Sequence, residues 1–96
     1  MITHVVLFKL KDRSKESIEK ARAALASLDG KIPQLRHLEV GADVLHTERS
    51  YDLALVAKFD NLADLNAYQI HPLHQEVVKY ILSVRESIVA VDYEGS

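Results

Sequence analysis

Two kinds of periodicity alternate along the chain. Ile2 to Leu10 has the period-two pattern of a strand, with Ile2, His4, Val6, Phe8 and Leu10 on one side and Thr3, Val5, Leu7 and Lys9 on the other. Both sides are largely apolar over Val5–Phe8, so both faces of this strand need cover. Ile18, Ala21, Ala24 or Leu25, and Leu28 then recur at helical spacing. Asp12 to Ser14 open this helix, Glu16 and Glu19 suit its N-terminal dipole, and Gly30 stops it. The expected helix runs over about 14–29. A second strand follows at Arg36–Ala42, with Leu38 and Val40 on one face, and a polar loop at His46–Ser50. A third strand is expected at Tyr51–Phe59, with both parities again apolar. Asp60 and Asn61 cap a second helix that runs to about Ile70. Pro72 can open a third helix over about 72–84, since proline is tolerated in a first turn. Ser87–Tyr93 reads as the last strand.

The order is β-α-β-β-α-β with the second helical unit split at Pro72, the ferredoxin-like α+β arrangement with an antiparallel four-stranded sheet. In that topology the first and last strands are neighbours. Setting position 4 opposite 92 places Val6 against Ala90 and Phe8 against Ile88, all on one face, and brings His4 beside Asp92. The helices cover one face of the sheet. A chain of 96 residues has little left for the other, so a second copy of the chain, a homodimer through the sheet face, is the natural cover.

Composition narrows the function classes. Twelve Lys and Arg against fourteen Asp and Glu give a net charge of −2. The basic residues are scattered rather than striped, which argues against nucleic acid and an anionic membrane surface as partners. No apolar run approaches the ~20 residues of a membrane span, and no signal-peptide pattern opens the chain. The absence of cysteine excludes a disulfide framework and fits a cytoplasmic protein. No phosphate-binding glycine loop, nucleophile elbow or cofactor motif is present, so no cofactor is expected.

The chemistry is concentrated in one corner, Asn66 to His74, which holds two of the five histidines, one of the four tyrosines and one of the two prolines. His71 and Pro72 read as structural, with His71 bonding carbonyls left open where the helix breaks. His74, in the first turn of the third helix, and Tyr68, before the corner, form a candidate acid/base pair, because imidazole and phenol can both exchange protons when tuned. His4 and Asp92 join them through the strand pairing, Asp92 fixing the imidazole's tautomer. His37 and His46 fall on or beside loops and read as solvated. The His71-x-x-His74 spacing has no carboxylate at a fitting offset, and no metal site is expected.

The opening His4-Val-Val-Leu-Phe-Lys9, the strand Leu53–Phe59, the corner Tyr68-x-x-His71-Pro72-x-His74 and the ending Val91-Asp92-Tyr93 together resemble the stress-responsive dimeric α/β-barrel (Dabb) family over nearly the whole chain, as a single domain over 1–96. The resemblance implies two ferredoxin-like protomers joined through their sheets into a barrel, with a pocket between sheet and helices in each. The family is functionally mixed and includes a plant polyketide cyclase that works by aldol condensation without a cofactor. Tyr68 and His74 match that cyclase's catalytic pair, and His4 and Asp92 match further residues of its site. The pocket wall would comprise Val6, Phe8, Leu53, Leu55, Val77, Ile88 and Ala90. The chain departs from the cyclase in the first helix, where Ala21-Arg-Ala-Ala-Leu-Ala26 stands in place of large aromatics, which puts a polyketide substrate in doubt. The residues assign no definite activity, and the sharpest expectation they carry is cofactor-free acid/base catalysis, cyclase- or aldolase-like, on a small carbonyl compound. The alternatives are a non-catalytic ligand-binding or stress-stability module and a cofactor-free monooxygenase-like enzyme.

Overall fold

The computed structural model describes residues 1–95. Seven elements follow in order: β1 (Ile2–Leu10), α1 (Lys15–Ala26), β2 (His37–Ala42), β3 (Leu53–Phe59), α2 (Leu62–Ile70), α3 (Pro72–Val84) and β4 (Arg85–Glu94). The strands form one antiparallel sheet in the order β2-β3-β1-β4. This is the ferredoxin-like α+β arrangement. The expected register between the first and last strands holds: His4 lies opposite Asp92, Val6 opposite Ala90 and Phe8 opposite Ile88.

Local chemistry sets the element ends. The Ser14 hydroxyl caps α1 by accepting from the Ser17 amide at 3.2 Å, and the Asn61 side chain caps α2 by accepting from the Asp64 amide at 2.9 Å. Each cap satisfies a donor that the helix itself leaves open. Helix α1 ends at Ala26, three residues before the expected end. The chain beyond it makes short turns and reaches Gly30, whose φ of +76° is a conformation glycine adopts without strain.

One face of the sheet carries the core. Ile2, Val6, Phe8 and Leu10 of β1 and Leu53, Leu55, Ala57 and Phe59 of β3 are buried beneath Ile18, Ala21 and Leu25 of α1, Leu65 and Tyr68 of α2, and Ile81 of α3. Fully burying each Val, Leu, Ile or Phe side chain of this set favours the folded state by about 1.5–3 kcal/mol. The other face is open. Leu7, Val89, Val91 and Tyr93 are 37%, 46%, 55% and 50% exposed on it, an apolar surface rather than a polar one.

The third strand begins at Leu53 rather than Tyr51, because Asp52 turns its side chain inward. Its carboxylate is 1% exposed and accepts from the Leu10 amide at 2.8 Å and from Arg13 Nε at 2.9 Å. Arg13 also donates to the Ser50 carbonyl at 2.9 Å. This one acid ties the end of β1, the approach to α1 and the β2–β3 loop together. It was not among the residues singled out by sequence.

Candidate active site

The corner between α2 and α3 builds the site. His71 is the C-cap of α2 and the N-cap of α3, with extended backbone at φ −63° and ψ 136°. Its expected role of bonding open carbonyls is corrected by the geometry. The ring Nδ1 instead accepts from the Leu73 amide at 3.1 Å, filling an N-cap, while Pro72 occupies the first turn, where its missing N–H costs nothing. The sharp change of direction folds the first turn of α3 back over α2. Tyr68 and His74 consequently pack ring against ring, tilted by 51°, with centroids 4.4 Å apart. Tyr68 also packs against Phe59 at 4.9 Å and meets the His4 ring edge-on at 6.4 Å.

Strand pairing supplies the other half. His4 sits on the helix-facing side of the central strand β1 and is 8% exposed. Its Nδ1 is hydrogen-bonded to Asp92 Oδ1 on the edge strand β4. The Asp92 side chain stays 39% exposed, so the carboxylate stands between the buried imidazole and solvent. His74 Nδ1 donates to the Gln69 carbonyl at 3.1 Å.

These rings border a cavity of about 140 Å³. Its apolar wall is Val6, Phe8, Leu55, Leu25, Val77, Val78, Ile81, Leu82 and Ile88. Leu53 and Ala90, expected in the wall, do not line it. Leu53 lies buried farther along β3, opposite Phe8 and beside Ala42 of β2, while the short side chain of Ala90 lies exposed on the edge strand. Asp92 likewise stands outside the lining and reaches the cavity only through His4. Leu25, Val78, Ile81 and Leu82 are wall residues that the expected set lacked. Val78, Ile81 and Leu82 share the apolar stripe of α3 with Val77, which is the one signal that could have found them. His37 and His46 are exposed and lie away from this cavity.

Three polar atoms remain open at the site. Neither His4 Nε2, Tyr68 Oη nor His74 Nε2 has a hydrogen-bond partner among the described residues, yet no polar side-chain atom there is both sealed and unbonded. Each belongs to a residue of the cavity wall, and each is therefore free to meet a ligand. Their protonation states differ in kind. Burial pushes the Tyr68 phenol up to about 12, so at neutral pH it is a hydrogen-bond donor. Burial holds His74 below the ordinary histidine value. The Gln69 carbonyl opposes that shift, and the neighbouring His4 and His71 reinforce it. His74 is thus a neutral ring with its proton on Nδ1 and a lone pair on Nε2. Among the described residues no three His, Asp or Glu side chains cluster as metal ligands. Among the described residues no helix is long and apolar enough to cross a membrane.

The family model for the stress responsive A/B barrel domain, Dabb, matches residues 2–95. The chain belongs to the Dabb family. A Dabb relative from Arabidopsis thaliana, stress-response A/B barrel domain-containing protein DABB1, is 37% identical over 97% of this chain, which spans only 46% of that protein's length. An uncharacterized protein from Streptomyces coelicolor is 33% identical over 98% of this chain and 99% of its own. Among solved structures, a dimeric ferredoxin-like protein of unknown function from Thermobifida fusca superposes with a TM-score of 0.86 at 33% identity, covering 98% of this chain and 90% of that one. The Dabb assignment accounts for the fold. It leaves the chemistry to be argued from the cavity.

Proposed function

We propose that this Dabb protein is a cofactor-free acid/base catalyst acting on a small carbonyl compound inside each protomer's cavity, in the manner of a cyclase or aldolase. The observation that supports this best is the convergence of two imidazoles and a phenol, each with a polar atom unpartnered among the described residues, on an otherwise apolar hollow. An imidazole can take a proton from the carbon beside a carbonyl, and the phenol can donate to the oxygen on which charge develops. The cavity size sets the scale of the substrate. A hollow of about 150 Å³ holds a benzene-sized molecule, and the ~140 Å³ here fits a compound of that size better than a polyketide chain. Leu25, which α1 sends into the wall, helps to keep it small.

The direct test is exchange of the α-protons of small ketones for deuterium from solvent, followed by proton NMR. The wild-type protein should accelerate exchange, and Tyr68→Phe should lose about 10²-fold, the usual cost of one oxyanion donor. Exchange no faster than in buffer would reject the catalytic reading.

One observation favours a second reading, a non-catalytic ligand-binding module. His74 Nδ1 is already bonded to a backbone carbonyl, as a purely structural histidine would be. Under that reading small apolar carbonyls bind and raise the melting temperature without exchanging protons.

The open sheet face supports a homodimer in which Leu7, Val89, Val91 and Tyr93 pack against the same face of a second copy. An apolar face this continuous is costly to leave in water, and the Thermobifida fusca relative is described as a dimer.

A further inference from the structure

The two imidazoles of the cavity are not equivalent. Both have Nδ1 occupied and Nε2 open, but the partners at Nδ1 differ in charge. His4 faces the carboxylate of Asp92, whereas His74 faces the neutral Gln69 carbonyl. A ring that takes up a proton becomes a cation. A carboxylate on its far nitrogen stabilises that cation, and a carbonyl does so far less. His74 also has His4 and His71 as its charged-state neighbours and no acid. The two rings further differ in their route to water. His4 is nearly buried, but its Nδ1 partner is 39% exposed on the edge strand. A proton collected at Nε2 can therefore be balanced by one released on the opposite side of the ring, outside the cavity.

Resting on the carbonyl-chemistry reading above, we propose that His4, backed by Asp92, is the proton-transferring base, and that His74 is a neutral acceptor selecting substrates with a hydroxyl beside the carbonyl. The substrate class is then a small α-hydroxy aldehyde or ketone. Its hydroxyl donates to His74 Nε2, and its carbonyl oxygen accepts from the Tyr68 hydroxyl. His4 Nε2 removes the proton from the carbon between them. The C–H bond breaks, its electron pair forms the C=C of an enediolate, and the carbonyl π pair moves to the oxygen held by Tyr68. The imidazolium formed faces Asp92 at Nδ1, and the proton taken up at Nε2, an atom not sealed from water, exchanges there with solvent. Return of a proton to carbon restores the α-hydroxy carbonyl compound, so no oxidant or co-reactant is needed. His4 and Tyr68 touch the reacting atoms in this scheme, and Asp92 is a positioning residue that acts through His4.

The test compares hydroxyacetone with butanone, which has a methyl group where hydroxyacetone has its hydroxyl. Deuterium exchange from solvent is measured with the full chain. The wild-type protein should exchange hydroxyacetone about tenfold faster than butanone. Asp92→Asn should lower kcat by about 10²-fold or more with little change in KM, since general-base contributions are of that size. Asp92→Glu should recover part of the loss, which a merely structural role does not predict. The side chain is on an exposed edge strand, so both variants should fold, and their melting temperatures verify this. His74→Ala should bring the hydroxyacetone preference close to one. Exchange that survives Asp92→Asn unchanged but vanishes for both ketones in His74→Ala would overturn the assignment while leaving carbonyl chemistry intact. Wild-type exchange no faster than buffer on either ketone overturns both.

Discussion

Replacing Asp52 by alanine removes the one carboxylate buried at the junction of β1, α1 and the β2–β3 loop. Two partners lose their acceptor. The Leu10 amide, whose residue is 1% exposed, has its 2.8 Å bond to Asp52 Oδ2 and is left dry without it. An unsatisfied buried donor costs about 1–3 kcal/mol. Arg13 keeps its bond to the Ser50 carbonyl, and its side chain is 33% exposed, so water takes over part of the lost pairing. That loss is about 1 kcal/mol, near the value of an exposed pair. The expected destabilisation is therefore about 3 kcal/mol. For a domain of this size that lowers the melting temperature by about 12–24 °C. Asp52→Asn retains an oxygen for the Leu10 amide and should cost only about 1 kcal/mol, so the order wild type, Asn, Ala is part of the expectation. Urea unfolding followed by circular dichroism, at one fixed protein concentration because assembly shifts apparent stability, measures all three. An alanine variant within about 1 kcal/mol of wild type would show that the Leu10 amide finds another partner and that the junction does not depend on this acid.

Two further outcomes follow from the geometry. Val91→Glu places a charge in the middle of the open sheet face and should convert a dimer to a monomer in light scattering, with little change in helical circular dichroism; a wild-type monomer would contradict the dimer reading. Burial depresses the His74 imidazole in the folded state, so the unfolded chain binds more protons there. Its contribution to stability is fully present above the ordinary histidine value of about 6.5 and is lost as pH falls through the lower folded value. His74→Gln should flatten that part of the stability–pH curve, and an NMR titration of His74 at or above the ordinary value would contradict the burial argument.

The sheet was readable from the sequence because parity fixes which side chains share a face. Once the topology made β1 and β4 neighbours, His4 and Asp92 fell on one face, and the observed register agrees. Asn61 and Pro72 were readable as helix openers because their chemistry acts within a few residues. What escaped was set by depth and direction rather than by pattern. Leu25 belongs to the α1 stripe, but only the packing of α1 against the sheet determines that it reaches the cavity. Leu53 has the right parity for the wall and sits too far along its strand. Asp52 looked like any acid beside a loop, since nothing in the local pattern says that its carboxylate meets an amide 42 residues away. His71 was placed correctly in the corner, but whether its ring accepts or donates depends on the turn's backbone angles.

The hydrogen bond between His4 and Asp92 joins residues 88 positions apart, and this separation has a consequence for folding. Neither α2 with α3 nor β1 with β3 can assemble it; only the docking of β4 can. That pairing has a large sequence separation, and such contacts are slow to form because chain entropy is lost before they contribute. A chain with its helices and three strands in place would already pack Tyr68 against His74 and enclose much of the hollow, while His4 still lacked its acid. Under the proposed chemistry, competence for proton transfer would thus lag behind compactness in refolding, and a catalytic signal would time the closure of the last strand.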